Sequence, residues 1–398
     1  MASSGKDSGS KTAAINHYDG IFKFLHEKSA QESFVRGREL LSENRWSEGV
    51  SAFTEAKAKA QTSNDVNTID LILQEMTRYN DNLIPQDAAP APVDWSSVSK
   101  RPVVRYEEPN DRLPQGVFIL SLGTAEPRRR LVGRKTLSNL WLKNLIPELF
   151  CSLVRPDMVL GELVDQRVTD HSYIVFYHPL DKPEKLQVFR EIYAEDGVTA
   201  ELSFPFPLLK TVTHKEFTSP AEGWQVDNAY DNMLSNGEVH IRKYTAQYLT
   251  SLKLNKPRLY DPACSTGIFL SMLQAALPDS YTIGQDLSRQ MADVSRERLN
   301  EAHHGNALHP KIPLASAQAV FIRFLNSEVV TSAEAEMLLP PLLKTVAVGG
   351  IFVVLGHTPV LLSSANFRFL TDFRLERCVA VDIDKTGIFQ YYVLKRTK

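Results

Sequence analysis

The pattern of apolar and polar positions divides the 398 residues into four consecutive segments. Residues 1–84 follow helical spacing from Ile15 onward, after a start rich in Ser, Gly and Lys that predicts a disordered tail. Residues 85–104 carry Pro, Ala, Ser and Asp without periodicity, which predicts an extended linker. Residues 105–220 mix helical and strand-like runs, typical of an α+β lid or substrate domain. Residues 221–398 alternate strand-like and helical runs, which predicts a doubly wound α/β sheet.

The elements of the 105–220 segment follow from their periodicity. Strands are predicted at 117–122, 160–168 and 172–177, and helices at 131–154 and 185–193. Two features allow a functional alternative. The basic run at residues 128–130 is either an anion-binding site or a solvated loop, and Tyr173 and Tyr177 either line a pocket or cover a sheet face. We expect the structural role in both cases.

The N-terminal helices contain one stretch, from Phe34 to Ala56, that resembles a single tetratricopeptide helix pair. Gly37, Ala52 and Phe53 fall where that repeat packs its two helices. Because such repeats need about three units to bury a shared core, one pair does not form an array. We expect a small helical bundle packed on its own chain, with self-association or docking of a partner protein as the functional alternative.

Composition and charge exclude several classes of partner. The formal net charge of -2 provides no basic surface for non-specific binding of nucleic acid. No apolar run approaches the roughly 20 residues that a membrane-spanning helix needs. The 3 cysteines are odd in number and far apart, which suits a reducing compartment. We therefore predict a cytoplasmic protein that contacts neither nucleic acid nor membrane.

A loop of small residues follows the first strand of the α/β segment. Apolar residues lead into Asp261, and Ala263, Ser265 and Gly267 then precede an apolar helix start. Small side chains let backbone N–H groups approach a ligand closely, and the N-terminus of the next helix favours negative charge. This arrangement suits a nucleotide-like ligand at the carboxyl end of the strand.

A second acidic residue lies about 20 residues beyond this loop. The strand-like run 281–286 ends in Asp286, whose carboxylate can accept hydrogen bonds from ribose hydroxyls. Ser288 is predicted to cap the next helix, which we extend to about Ala302.

These residues resemble motif I and its sequel in the class I S-adenosylmethionine (SAM) methyltransferases, whose loop has the form Asp/Glu-x-Gly-x-Gly-x-Gly. Two of the glycines are replaced here by small residues, and the resemblance covers residues 224–398. It implies SAM as cofactor and a Rossmann-like domain with a seven-stranded sheet whose last strand is antiparallel. The further matching segments are the fourth strand at 319–327, a helix at 333–346, the fifth strand at 351–355 and a closing hairpin at 375–381 and 388–394. A plain dinucleotide-binding fold is the alternative, but it lacks the closing hairpin.

The resemblance also implies which residues contact the cofactor. Asn306 takes the adenine-contacting position, where the family has Asp, and Arg242 offers a guanidinium to the methionine carboxylate. Tyr230 and Tyr244 offer aromatic faces to the sulfonium. The full predicted cofactor set is Asp261, Ala263, Ser265, Gly267, Asp286, Leu287, Asn306, Ala307, Arg242, Tyr244 and Arg323.

The predicted acceptor side lies beyond the fourth and fifth strands. The candidate catalytic residues are Asn326 at the end of the fourth strand, His357 after the fifth as a general base, and Tyr230 near the sulfonium. No cluster of Asp accompanies Asn326, so we expect no metal ion. The Asn/Asp-Pro-Pro-Tyr motif of nucleic-acid amino-methyltransferases is absent after the fourth strand, which favours a small-molecule acceptor over a flipped base.

We therefore predict SAM-dependent methyl transfer to O or N of a small molecule in specialised metabolism. Two alternatives remain open. A nucleophile can instead attack the carbon of the aminocarboxypropyl chain next to sulfur, which gives azetidine-2-carboxylate or an aminocarboxypropylated acceptor and releases methylthioadenosine. Otherwise the domain is a non-catalytic SAM-binding scaffold that serves the N-terminal helices.

Overall fold

The computed structural model describes residues 25, 27–42, 45–81, 92–110, 116–123, 126–135, 152–210, 212–225, 238–327, 329–356 and 359–398. They belong to two compact units. The described part of the first unit consists of N-terminal helices, and the second unit contains both β-sheets. No helix in the described ranges is both long and apolar enough to cross a bilayer.

The N-terminal unit contains the predicted helices. They are α1 (Lys28–Ser42), α2 (Trp46–Lys59) and α3 (Ser63–Asp81). The helices α1 and α2 pack through Phe34 and Phe53, whose buried rings meet edge to face with centroids 5.1 Å apart. A Cβ on Gly37 would lie 2.9 Å from the Phe53 ring, so this position admits only glycine without rearrangement.

The first sheet has six antiparallel strands in the order β1-β5-β4-β3-β2-β6. Its strands are β1 (Val104–Pro109), β2 (Gly116–Leu122), β3 (Arg129–Lys135), β4 (Val159–Val168), β5 (Ser172–Pro179) and β6 (Ala200–Ser203). A short helix α4 (Trp95–Val98) precedes them, a 3₁₀ turn (Pro156–Met158) precedes β4, and helix α5 (Lys182–Ala194) precedes β6. The three strands predicted in this segment and the helix predicted at 185–193 are confirmed.

The helix predicted at 131–154 is wrong at its start. Residues 131–135 belong to β3, which pairs with β2 on one side and β4 on the other, and Leu131 and Val132 are fully buried. A short apolar run has no periodicity of its own that separates strand from helix, so pairing within the sheet decides. Residues 136–151 lie outside the described ranges, and Val154 forms an isolated bridge to Ile388 instead of a helical turn.

The solvated loop expected at residues 128–130 is wrong, because Arg129 and Arg130 belong to β3 and two of the three arginines form ion pairs, whereas the expectation that the tyrosines cover a sheet face is confirmed. Arg128 Nη1 lies 2.7 Å from a Glu201 carboxylate oxygen, so part of the basic run is engaged in an ion pair. Arg129 pairs with Glu162. Tyr173 is buried on the sheet and its ring stacks on Phe206 with centroids 4.4 Å apart.

The second sheet has seven strands in the order β12-β13-β11-β10-β7-β8-β9. The strands are β7 (Arg258–Asp261), β8 (Tyr281–Asp286), β9 (Glu301–His304), β10 (Ala317–Ile322), β11 (Val346–Leu355), β12 (Phe373–Val381) and β13 (Ile388–Arg396). The helices are α6 (Val239–Ser251), α7 (Ile268–Ala276), α8 (Arg289–Ser295), α9 (Ser332–Leu343) and α10 (Ser364–Phe367). The strands from β7 to β11 are parallel and β13 is antiparallel to β11, which confirms the seven-stranded sheet with an antiparallel last strand.

The helix predicted from Ser288 to about Ala302 is shorter than expected. Ser288 is its N-cap, as predicted, but α8 ends at Ser295. Residues 301–304 form β9 because they pair in parallel with β8. The side chain of Asn300 fixes this turn by accepting a hydrogen bond from Thr282 N at 2.8 Å.

The two sheets share a buried core within the second unit. Phe118 and Leu120 of β2 lie in one apolar cluster with Val379 and Ile388 of the closing hairpin. Val98 of α4 lies in the same cluster and is fully buried. The second half of the segment expected to be a linker is therefore packed on the sheet, while residues 85–91 lie outside the described ranges.

Candidate cofactor site

Two residues of the loop after β7 adopt the left-handed backbone conformation. Ser265 has φ of 53° and Gly267 has φ of 83°, immediately before α7 begins. A Cβ on Gly267 would lie 3.1 Å from both Leu299 Cγ and Ser295 Cβ, so this position requires glycine for space as well as for conformation. The loop therefore lies tightly against α8, and its backbone is fixed where β7 ends.

Asp286 joins this loop to the end of β8. Its Oδ2 accepts a hydrogen bond from Ser265 N at 2.8 Å, and its Oδ1 accepts one from Ser288 N at 2.8 Å. Burial raises the pKa of Asp286 to about 6, although both backbone donors oppose the shift. Each carboxylate oxygen has a further lone pair, so the group can still accept from hydroxyl donors.

Asp261 is fully buried at the end of β7 and is held by two donors. Ala263 N donates to Oδ1 at 3.0 Å, and Arg323 Nε donates to Oδ2 at 2.8 Å. Arg323 also donates from Nη1 to both carboxylate oxygens of Glu238, at 2.9 and 3.0 Å. Burial raises the pKa of Asp261, whereas Arg323 opposes the shift. Burial alone would lower the pKa of Arg323, but the carboxylates of Glu238 and Asp261 outweigh it, and that pKa is raised.

Arg242 lies one helical turn after Glu238, on α6, and is only 4% exposed. Its Nη1 is 4.0 Å from Glu238 Oε2, beyond hydrogen-bonding distance. Its Nε and Nη1 are buried and have no hydrogen-bond partner in the described part of the chain. Burial lowers the pKa of Arg242, opposed by Glu238. An unsatisfied buried donor costs about 1–3 kcal/mol, and an anionic ligand group would remove that cost.

Gln285, a residue of β8, holds the predicted adenine segment in place through hydrogen bonds. The Gln285 side chain donates to the Asn306 carbonyl at 2.8 Å and accepts from Tyr260 Oη and Lys311 N, each at 2.8 Å. The Asn306 side chain is exposed, and its Oδ1 accepts from Leu308 N at 2.9 Å. Sequence reasoning missed Gln285, whose polar side chain in an apolar strand was the available signal.

Two further members of the predicted cofactor set, Ala307 and Leu287, differ in exposure. Ala307 is buried within the core beneath the sheet, together with Ile283. Leu287 is half-buried in the turn between Asp286 and Ser288. Leu287 is therefore the better placed of the two to contact a ligand.

Tyr244, which was predicted to face the sulfonium, packs instead among aromatic rings of the closing hairpin. Its ring packs edge to face on Tyr391 and Phe389, at centroid distances of 5.0 and 5.6 Å, against the closing hairpin. Burial raises the pKa of Tyr244 well above its usual range. The guanidinium of Arg377 lies 5.9 Å from the ring centroid, so this aromatic face already has a cation beside it.

The predicted catalytic residues are only partly described. Asn326 is buried where β10 gives way to its loop; it bridges Val360, and its carbonyl accepts from Val329 N and Val330 N at 3.1 Å. Tyr230 and His357 lie outside the described ranges. Their predicted roles, and that of Asn326, stay predictions.

Glu238 is a central residue of the site that sequence reasoning missed. It is 4% exposed and accepts both hydrogen bonds from Arg323. Its spacing of four residues from Arg242 on a helix was the available signal, because residues at that spacing face the same side. The pairing with Arg323 joins residues 85 positions apart, so it could not be predicted from local sequence.

The strand order, the small-residue loop after β7 and the acid that ends β8 define a SAM-dependent transferase with SAM as its cofactor. Isonocardicin synthase from Nocardia uniformis subsp. tsuyamanensis is 35% identical to this chain over 287 residues, which make up 71% of this chain and 92% of that enzyme. The chain therefore belongs to the family of isonocardicin synthase. No protein-family model matches the chain.

Several solved structures are similar to this chain in fold. A SAM-dependent methyltransferase from Aquifex aeolicus is 12% identical, with a TM-score of 0.33, and the match covers 43% of this chain and 99% of that one. A geranyl diphosphate C-methyltransferase from Streptomyces coelicolor A3(2) is 15% identical, with a TM-score of 0.30, and the match covers 46% of this chain and 89% of that one. At these TM-scores the superpositions carry no information about activity.

Proposed function

We propose that the protein transfers the 3-amino-3-carboxypropyl group of SAM to a nucleophile on a small molecule and releases methylthioadenosine. The observation that carries this proposal is the relationship to isonocardicin synthase, an aminocarboxypropyl-transferring SAM enzyme, over 92% of its length. The role of that relative in nocardicin biosynthesis supports an acceptor from specialised metabolism.

The reaction is a displacement at the carbon of the amino-acid chain that is bonded to sulfur. The lone pair of the nucleophile forms a bond to this carbon, and the carbon–sulfur bond breaks. The bonding electrons go to sulfur, so the sulfonium becomes the neutral thioether of methylthioadenosine. The proton of the nucleophile leaves to a base. Because the leaving group is already activated, the protein acts mainly by aligning the two partners and excluding water.

The charged groups at the end of β7 fit the amino-acid end of SAM. Arg242 would bind the carboxylate, because its buried Nε and Nη1 are without partners in the described ranges. Asp261 and Glu238 provide negative charge beside it for the ammonium, although both already accept from Arg323. In the proposed reaction this amino-acid end is the group that is transferred. The protein contacts to its carboxylate and ammonium therefore determine the position of the attacked carbon.

Asp286 and the segment after β9 fit the adenosine end. Asp286 would accept from the ribose hydroxyls, and the 305–311 segment anchored by Gln285 would border the adenine. Methylthioadenosine keeps the whole of this end. The site therefore separates the group that is transferred from the part that remains bound.

Methyl transfer to O or N, the expectation from the fold alone, remains the competing prediction. The same contacts to SAM serve either electrophilic carbon, so they do not distinguish the two. Attack by the amine of SAM on its own chain, which gives azetidine-2-carboxylate, is a third outcome. Docking of a protein partner on the N-terminal helices stays a separate prediction.

The test uses SAM labelled separately in its methyl group and in its carboxyl carbon. The protein is incubated with each form, with and without a small-molecule extract of the source organism, and the nucleosides and products are identified by mass spectrometry. We expect methylthioadenosine together with carboxyl label in an acceptor from the extract. Heat-denatured protein controls for spontaneous breakdown of SAM. S-adenosylhomocysteine with methyl label in the acceptor would overturn the proposal, and azetidine-2-carboxylate formed without extract would replace transfer by cyclisation.

A further inference from the structure

The segment before α6 is fixed at one end to the loop that follows β10. Ser219 donates to the Val329 carbonyl twice, from its backbone N at 2.9 Å and from Oγ at 2.7 Å. Val329 comes three residues after Asn326, where the polypeptide has left the carboxyl end of β10. Ser219 therefore lies above that end of the sheet.

The same segment touches the turn after β8 a few residues later. A Cβ on Gly223 would lie 2.8 Å from Ser288 N and 3.2 Å from the Leu287 carbonyl carbon. Gly223 has φ of 78°, and its N–H donates to the Pro220 carbonyl at 2.9 Å to close a tight turn. Only glycine meets both demands, a left-handed conformation and a backbone-to-backbone contact.

The position of β7 between these two anchors determines what the segment covers. In the sheet β7 lies between β10 and β8, and all three strands are parallel. Parallel strands end at the same edge, so residues 219–223 pass over the end of β7 and the small-residue loop that follows it. Two strand spacings amount to about 10 Å. Five residues that include one turn can bridge this distance.

We infer that residues 219–225, here called the strap, close over the cofactor and that Trp224 is a further SAM-binding residue at the adenosine end. Trp224 follows the Gly223 contact directly and is 43% exposed, although it is a large aromatic residue. The turn that Gly223 touches follows Asp286, the predicted ribose-binding residue, and contains Leu287, another member of the predicted cofactor set, whereas Arg242 lies beside Glu238. An aromatic ring is suited to stack on the adenine.

This role depends on SAM binding and not on which carbon is attacked. Methylthioadenosine is therefore the right probe, because it has the adenosine end without the amino-acid chain. We expect Trp224→Ala to weaken binding of methylthioadenosine by at least about ten-fold in calorimetric titration, and Trp224→Phe to retain most of it. Equal affinity of Trp224→Ala and the unchanged protein would overturn the assignment.

Tryptophan fluorescence provides a readout that a general folding defect does not imitate. We expect methylthioadenosine to quench the emission of the full-length protein and of Trp95→Phe, but not that of Trp224→Phe. Trp95 is the matched control because it lies on α4 beneath the guanidinium of Arg129, 4.1 Å from the ring centroid. Quenching that survives in Trp224→Phe would place the responsive ring elsewhere and overturn the inference.

The anchor of the strap is tested with two glycines of the same backbone conformation. Gly223 and Gly349 have φ of 78° and 79°, but a Cβ on Gly349 would meet nothing within 4 Å. Alanine at either position carries the same backbone strain, so only Gly223→Ala also pushes the strap away from Ser288. We expect Gly223→Ala to weaken SAM and methylthioadenosine binding by about ten-fold and Gly349→Ala to leave it unchanged. Equal effects of the two substitutions would contradict a functional contact between the strap at Gly223 and the turn at Ser288.

Discussion

Arg323 donates a hydrogen bond from Nε to Oδ2 of Asp261 at 2.8 Å, and this contact joins the ends of two neighbouring strands that are 62 residues apart. The same guanidinium reaches Glu238 and lies 4.8 Å from the centroid of the Phe269 ring. The acid of the small-residue loop is therefore already paired on one side. The other carboxylate oxygen of Asp261 accepts from Ala263 N at 3.0 Å, so both oxygens are held by the protein.

Arg323→Met is expected to destabilise the protein strongly. Removing one partner of a buried ion pair leaves uncompensated charge, which costs about 3–5 kcal/mol. Here the substitution would leave both Asp261 and Glu238 without their shared cation. The free energy of unfolding, measured by denaturant titration, should fall by that amount.

The double variant Arg323→Met with Glu238→Gln tests the cause of that loss. Because the second substitution removes one of the two unpaired carboxylates, part of the stability should return. Arg374→Met is a suitable control, since Arg374 pairs with Glu376 at an exposed position and should change stability little. A loss in the double variant equal to the sum of the single losses would show that the three groups do not act together.

Asp286 should make nucleoside binding depend on pH near 6. Its carboxyl keeps a proton up to pH about 6 in the folded protein and only up to about 3.8 in the unfolded chain. The folded state therefore binds more protons between these values, and the contribution of Asp286 to stability falls as pH rises through this window. Cofactor binding has the opposite sign, because ribose hydroxyls need the carboxylate form.

The measurement is the affinity for methylthioadenosine between pH 5 and about 7, a range in which that ligand has no titrating group. Affinity should fall below pH 6, by up to about ten-fold per pH unit. Asp286→Asn should bind weakly at every pH and lose this dependence. Asp293→Asn is the control, because Asp293 is exposed on α8 and pairs with Arg296. A flat profile for the unchanged protein would contradict the role of Asp286.

The chain positions of β7, β8, β10 and β11 could be predicted from the sequence because each is a short apolar run, whereas β9 was covered by the predicted helix. Asp261 and Asp286 mark the ends of β7 and β8, and the structure places their carboxylates on either side of one loop. β3 was missed for a physical reason. Leu131 and Val132 begin an apolar stretch whose partners, β2 and β4, are set by tertiary pairing.

The charged network of the site could not be predicted in the same way. Arg323 was assigned to the cofactor by position, but its contacts are to two carboxylates of the protein. Tyr244 was assigned by residue type, yet its neighbours on α6 and the closing hairpin bury it among other rings. Both outcomes depend on which face of a helix or strand meets a distant element. Such tertiary contacts could not be predicted from a single sequence.

Gln285→Met is expected to weaken nucleoside binding through the segment that Gln285 anchors. The change leaves Tyr260 Oη, Lys311 N and the Asn306 carbonyl without their common partner. The fully buried Tyr260 hydroxyl alone would cost about 1–3 kcal/mol. Both stability and affinity for methylthioadenosine should fall. The control is Gln390→Met, because Gln390 is equally buried but bonds the backbone of Val360 instead. If both variants lose the same affinity, the effect is one of general stability.

Arg242 distinguishes the two ends of SAM in a single variant. If its buried guanidinium binds the carboxylate, Arg242→Met should weaken SAM and S-adenosylhomocysteine by about ten- to a hundred-fold, from the loss of charge-assisted hydrogen bonds. Methylthioadenosine lacks that carboxylate, so its affinity should not change.

The same variant should not destabilise the ligand-free protein, because a buried cation with unsatisfied donors costs free energy that an apolar side chain of similar length does not. Lys243→Met, on the exposed face of the same helix, should alter none of these quantities. Calorimetric titration with the three ligands, together with thermal unfolding, measures both expectations. An equal loss of affinity for all three ligands would place Arg242 at the nucleoside, or show a general distortion, and would remove the carboxylate contact on which the orientation of the transferred group depends.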